Sequence, residues 1–166
     1  GLLDGDVKHD LAGVIDRINR LSQWVREGGG RVLFVQHDGP GDDIFAPGQS
    51  GWKILDSLVR SQEDITVHKT FNDALFRTSL QSTLNERGAQ RLLLTGWATE
   101  FCVDATVRSA AVSGFEVVVV ADYHTVSAHP SLSAEKIMTH HHWVWSNLIT
   151  AHPVTNAPEA DIQPAT

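Results

Sequence analysis

The sequence predicts an α/β fold, a mainly parallel sheet held between two layers of helices. Three observations carry that prediction. Four short apolar runs rich in Val, Leu and Ile recur along the 166 residues. Each is nearly continuous rather than alternating, as in strands buried on both faces. Helical patterns lie between the runs, and strand–helix alternation of this kind places parallel strands in one sheet with helices on both sides.

The first element is a helix. In "DLAGVIDRINRLSQWVREGGG", Leu11, Val14, Ile15, Ile18, Leu21 and Val25 form one apolar stripe. Asp10 stands where a side chain can cap its start, and the glycines from Gly28 end it. "RVLFVQH" (31–37) follows as the first strand. The stretch "DGPGDDIFAPGQSGW" (38–52) is the longest irregular segment and is long enough for a binding loop. "ITVHK" (65–69) is the second strand. "TSLQSTLNERG" is a shorter helix, with Thr78 as its cap and Gly88 as its stop. "RLLLTG" (91–96) is the third strand, followed by a helix over 102–113 that ends near Gly114. "EVVVVAD" (116–122) is the fourth strand and 133–149 a further helix. The tail "PVTNAPEADIQPAT" reads as a short strand and a loose end.

The length suits one domain over 1–166 with a full core. Net charge is −7 and no Lys/Arg cluster exceeds a scattered pair, which argues against nucleic acid or an anionic membrane surface as partner. No apolar stretch approaches the roughly 20 residues that span a bilayer. A single cysteine gives no sign of an oxidising compartment, so a cytoplasmic protein is expected.

Ligands of open α/β sheets bind beyond the carboxyl ends of the strands. His37, Lys69, the turn from Gly96 to Cys102, and Asp122 all fall at such ends and are expected to share one rim. A lone cysteine is most often a small inert core residue. Cys102, however, follows a strand and a Gly-led turn and opens a helix, where unpaired N–H groups and the helix dipole favour a thiolate. The same N–H groups can bind an oxyanion. Lys69 closes a strand on the same rim. An ordinary strand-end lysine is solvated, but an ammonium a few ångströms from Cys102 would favour the thiolate. The run "HHH" (140–142) is no metal site, because consecutive helical side chains point about 100° apart. His37 with Asp38 lacks further nitrogen ligands at useful spacing. "GGGR" (28–31) precedes a strand, so it is not a dinucleotide fingerprint. No cofactor and no metal are expected.

The segment "LLLTGWATEFCVDATVRSAAVSGFEVVVVAD" resembles the signature of the isochorismatase-like cysteine hydrolases, relatives of nicotinamidase and N-carbamoylsarcosine amidohydrolase. The matching positions are Gly96, Thr99, Cys102, Val103, Thr106, Ala110, Gly114 and Asp122. "HKTFNDALFRTSL" matches the family's lysine region through Lys69, Phe76, Thr78 and Leu80. "GLLDG" and the first helix and strand are similar to its N-terminal region. The resemblance implies an isochorismatase-like, Rossmann-like α/β/α sandwich. It implies hydrolysis of a small-molecule amide or related C–N bond, with Cys102 as nucleophile and Lys69 as its partner. It also implies a cis Trp97–Ala98 peptide and an oxyanion hole from the N–H groups of Ala98 and Cys102. Members commonly form homo-oligomers, and the five tryptophans agree: Trp143 and Trp145 stand about 200° apart on one helix, so one suits a subunit contact. "QHDGPGDD" (36–43) does not reproduce the nicotinamidase metal cluster. Phe71, Phe76, Trp52 and Phe101 are candidates for the pocket wall, with ordinary core packing as the alternative. A non-catalytic binding or scaffold member of the fold is the other class in play.

The family's third catalytic group is an aspartate closing a strand that sits in the middle of the sheet, between those matching "RVLFVQH" and "RLLLTG". No apolar run before "GLLDG" supplies it, and Asp4 and Asp6 fall in the loop that follows that strand. The expectation is therefore an upstream extension of about ten residues carrying this aspartate. The strand-wide slot beside "RLLLTG" would otherwise leave backbone groups unpaired at roughly 1–3 kcal/mol each.

Overall fold

In the computed structural model, residues 8–158 and Ile162 are described. Asp4 and Asp6 lie outside them. The first helix, α1, spans Leu11–Glu27 and ends on a backbone bond from Gly28 N–H to the Trp24 carbonyl at 3.0 Å. Asp10 does not cap it. Its backbone is left-handed (φ 45°), and its carboxylate instead accepts from Arg17 Nη2 at 2.8 Å. The ion pair one turn into the helix takes the oxygen that a cap would have used.

Strands β1 (Leu33–His37) and β2 (Ile65–Lys69) run parallel, paired from Leu33 with Ile65 to His37 with Lys69. A second parallel group comprises β3 (Arg91–Trp97), β4 (Glu116–Thr125) and β5 (Thr155–Ala157), with β4 between the other two. Helices α2 (Leu80–Glu86), α3 (Asp104–Val112) and α4 (Ala134–Ser146) complete the fold.

Alternation along β3 and β4 builds the layers. Leu92, Leu94, Val117 and Val119 pack with Leu84 of α2, Val107 and Ala110 of α3, and Trp145 of α4. Leu93 and Val120 point the other way, onto Leu21 and Ile18 of α1 with Tyr123. Val117 to Val120 are each at most 1% exposed, and burying each valine contributes about 1.5 kcal/mol or more. The continuous apolar run was therefore a sound strand signal.

Four boundaries differ from the sequence expectation. The helix expected at 102 begins earlier, as a π turn over Thr99–Val103, in which Val103 N–H reaches the Ala98 carbonyl at 3.1 Å, and becomes α-helical only at Asp104. Strand β4 does not stop at Asp122. It runs on to Thr125 through a left-handed Asp122 (φ 64°), and the pairing with β3 shifts between Leu94 and Gly96. Gly96 meets that shift with φ 126°, a conformation that favours glycine. Helix α4 stops at Ser146, three residues short, because Asn147 N–H turns back to Val144. Thr78 lies one residue before the N-cap of α2, and its Oγ1 accepts from Leu80 N–H at 3.1 Å.

Among the described residues the two strand groups do not pair with each other. Val35 of β1 is 39% exposed, and all seven residues of β3 are only half-buried. Phe45, from the loop after β1, bridges the two groups at their carboxyl ends. Its ring centre is 6.4 Å from His37 and 6.5 Å from Trp97. No helix among the described residues is long and apolar enough to cross a membrane.

Candidate active site

Lys69 ends β2 with only 6% of its surface exposed. A lysine so buried needs partners for its ammonium. Its Nζ donates to the Phe71 carbonyl at 2.8 Å and to Cys102 Sγ at 3.2 Å. Cys102 is half-buried, in the π turn between β3 and α3. Asn72 Oδ1 lies 3.7 Å from the same sulfur, where it accepts a thiol proton. The thiol thus sits between a cation on one side and an amide on the other.

The turn under Cys102 is tightly held. The Trp97–Ala98 peptide is cis, and Ala98 is 3% exposed. The Ala98 carbonyl accepts from both Phe101 and Val103 N–H at 3.1 Å. Thr99, fully buried, donates to the Thr125 carbonyl at 3.2 Å and meets His124 Nδ1 at 2.8 Å. Below the turn, Asp104 accepts from Arg108 Nε at 2.9 Å and from Trp145 Nε1 at 2.8 Å, which ties α4 to the start of α3.

The loop after Lys69 supplies the other wall. Phe71 and Phe76 stack edge to face at 5.1 Å and are both largely exposed, as is Phe101 beside the thiol. Ala74 N–H donates to Thr106 Oγ1 on α3 at 3.1 Å, fastening this loop to the helix behind Cys102. Trp52 is held elsewhere. It stacks on His68 at 6.0 Å and donates Nε1–H to Asp38 at 2.7 Å. His68 precedes Lys69 and points to the opposite face of β2.

Asp38 also accepts from His68 Nδ1 at 3.0 Å. Burial pushes its carboxyl up, but the bonds from His68 and Trp52 outweigh that and hold it below the usual range. His37 shares the rim. Burial, then the charge of Lys69, lowers its pKa, and its Nδ1 is buried without a hydrogen-bond partner among the described residues. Trp97 Nε1 is in the same condition. Asp122 does not join this rim. It lines a separate cavity of about 250 Å³ with His9, Asp10, Arg17 and His124, because the longer β4 carries the strand end three residues past it. Among the described residues no three His, Cys, Asp or Glu side chains gather as metal ligands would.

Sequence reasoning named Cys102 and Lys69 but not Asn72, the Phe71 carbonyl or the fastening role of Thr106. Asn72 carried a usable signal, its place three residues after the lysine that closes β2. The pairing of His124 with His142 had none, since 18 residues separate them.

Comparison with known proteins identifies relatives. The sequence model of the Isochorismatase domain family matches residues 4–147. A streptothricin hydrolase of Streptomyces noursei is 32% identical over 127 residues, 75% of this chain and 46% of that protein. A ureidoacrylate amidohydrolase of Caulobacter vibrioides is 38% identical over 65 residues, 39% of this chain and 29% of that protein. The chain thus spans half or less of the length of these two curated relatives. A crystal structure of an isochorismatase family protein superposes with a TM-score of 0.82 at 26% identity, over 92% of this chain and 87% of that one.

Proposed function

This chain belongs to the isochorismatase family, and from that premise we propose that it hydrolyses a small-molecule amide or related C–N bond by covalent thiol catalysis. The observation that carries the proposal is the buried Lys69 ammonium 3.2 Å from Cys102 Sγ. That contact favours the thiolate, the nucleophilic form. Two relatives whose names describe hydrolysis, one of them an amidohydrolase, support the reaction class.

In this mechanism the thiolate attacks the substrate carbonyl, and the N–H groups of Ala98 and Cys102 receive the oxyanion. The C–N bond breaks, the amine leaves with a proton, and the acyl group stays on Sγ as a thioester. Water then attacks the thioester and releases a carboxylic acid and the free thiol. Phe71, Phe76 and Phe101 form the apolar wall of the pocket, with Trp52 at its outer edge beside His68.

The proton for the leaving amine comes from an aspartate. We place it on an extended segment upstream of Gly1 that fills the division between β1 and β3. Unpaired strand groups on both sides and the two partnerless buried N atoms at His37 and Trp97 support this position. Lys69 has three donors and uses two on Phe71 and Cys102, which leaves one for a carboxylate. Hydrogen exchange on the protein extended upstream is expected to show slow amides along β3. Fast exchange throughout β3 would count against the segment.

The exposed face of α4 is the proposed homo-oligomer contact. Trp145 is fully buried, whereas Trp143, on the opposite side of the helix, is 67% exposed. Assaying turnover of a panel of small amides tests the function. Release of amine that Cys102→Ala abolishes is expected, and a panel with no turnover by the upstream-extended protein would favour a binding role.

A further inference from the structure

We infer that Thr99, His124 and His142 form a directed hydrogen-bond chain that positions the Cys102 turn, with the protons running from His142 through His124 to Thr99 and on to the Thr125 carbonyl. The inference rests on the proposed role of Cys102 only for its consequence. The chain itself follows from counting protons.

The relevant contacts are three. Thr99 Oγ1 lies 2.8 Å from His124 Nδ1 and 3.2 Å from the Thr125 carbonyl, and His124 Nε2 lies 2.8 Å from His142 Nε2. Thr99 and His124 are both fully buried, so water supplies no alternative partner. The Thr125 carbonyl can only accept, so the Thr99 hydroxyl proton belongs to that bond. Thr99 must then accept at its other contact, which puts a hydrogen on His124 Nδ1. Neutral imidazole carries one such hydrogen, so His124 Nε2 is the bare nitrogen. The remaining contact is satisfied when His142 carries its hydrogen on Nε2 and donates it. Every contact then holds one proton. The opposite assignment leaves the single Thr99 proton to serve both His124 and the Thr125 carbonyl.

This direction has a consequence for protonation. A second proton on His142 goes to its Nδ1 and leaves the chain intact. A proton on His124 would set two N–H groups against each other at 2.8 Å and break the link. Burial, with His142 and His141 nearby, agrees by lowering the His124 pKa to about 3. The groups that face the pair are His141 and Trp145 of α4, Asp122 of β4, and His9, Asp10 and Arg17 across the adjoining cavity.

Thr99 opens the π turn and stands three residues before Cys102. Fixing its side chain from both sides sets the path of the backbone that presents the thiol. His124 and His142 are thus positioning residues that never touch a substrate. A supporting shell left loose by an ångström costs reactivity on the order of 10²-fold in favourable cases.

Nitrogen-15 NMR of the histidine rings in the full chain tests the direction. His124 is expected as the Nδ1–H tautomer and neutral from pH 8 down to pH 5. An Nε2–H tautomer for His124 overturns the chain. Alkylation of Cys102 by iodoacetamide tests the positioning without any substrate, so its outcome is independent of whether the hydrolase reading holds. His142→Leu should slow alkylation by about tenfold, and His142→Gln, whose amide can still donate, should recover most of the rate. An unchanged rate in His142→Leu, or equal loss in both variants, overturns the positioning role. Should His142→Leu fail to fold, the ring tautomers in the unaltered protein still decide.

Discussion

Lys69 Nζ and Cys102 Sγ stand 3.2 Å apart although 33 residues separate them, with the lysine buried at the end of β2 and the cysteine in the turn after β3. Parallel strands bring their carboxyl ends to one rim, which is why two such distant residues meet there. Replacing Lys69 with Met keeps most of the stem and removes the charge. Alkylation of Cys102 at neutral pH should slow, and turnover should fall by about 10²-fold or more. An alkylation pH profile identical to that of the unaltered protein would show that the charge does not act on the thiol.

Thr106 fastens the loop that carries Asn72 and both exposed phenylalanines, through Ala74 N–H. Thr106→Val keeps the shape and removes the acceptor, leaving that N–H without its partner. The expected cost is about 1–2 kcal/mol in urea unfolding. Binding should suffer more than chemistry, so KM rises with kcat little changed. A fall in kcat alone would place Thr106 in the chemistry.

The elements were legible because each rests on local pattern. Val117 to Val120 read as a buried strand, and the stripe of Leu11 to Val25 read as a helix, and both stand. The π turn was not legible, since five residues from Thr99 to Val103 fit a 3.6-residue period as well as a wider one. The extension of β4 past Asp122 was hidden for a different reason. It depends on a left-handed aspartate and a register shift with β3, both imposed by tertiary pairing. At the site, Cys102 and Lys69 could be named from their strand-end positions. The His124–His142 contact could not, because it needs the placement of α4 against β4.

Stability should fall as the pH drops below neutrality. The folded pKa of His124, about 3, lies below its unfolded value near 6.5. The unfolded chain therefore takes up the proton first, and stability is full above pH 6.5 and declines from there toward pH 3. The slope from this group is about 1.4 kcal/mol per pH unit. The lowered pKa values of His142 and His37 act in the same direction. Urea midpoints measured at pH 7.5 and 5.5 should differ accordingly. Equal midpoints would mean that His124 is not buried neutral.

Trp143 lies two residues from the buried Trp145 but on the exposed side of α4. Trp143→Glu should leave the urea midpoint of the fold within about 0.5 kcal/mol and lower the mass seen by light scattering. A monomer before the substitution, at micromolar concentration, would remove the oligomer proposal.

The central claim is that Cys102 carries the acyl group. Intact-mass spectrometry of the upstream-extended protein, quenched in acid during turnover of an amide substrate, tests it directly. The account predicts a mass increase equal to the acyl portion, mapped to Cys102 and absent from Cys102→Ala. Undiminished turnover in Cys102→Ala would contradict it.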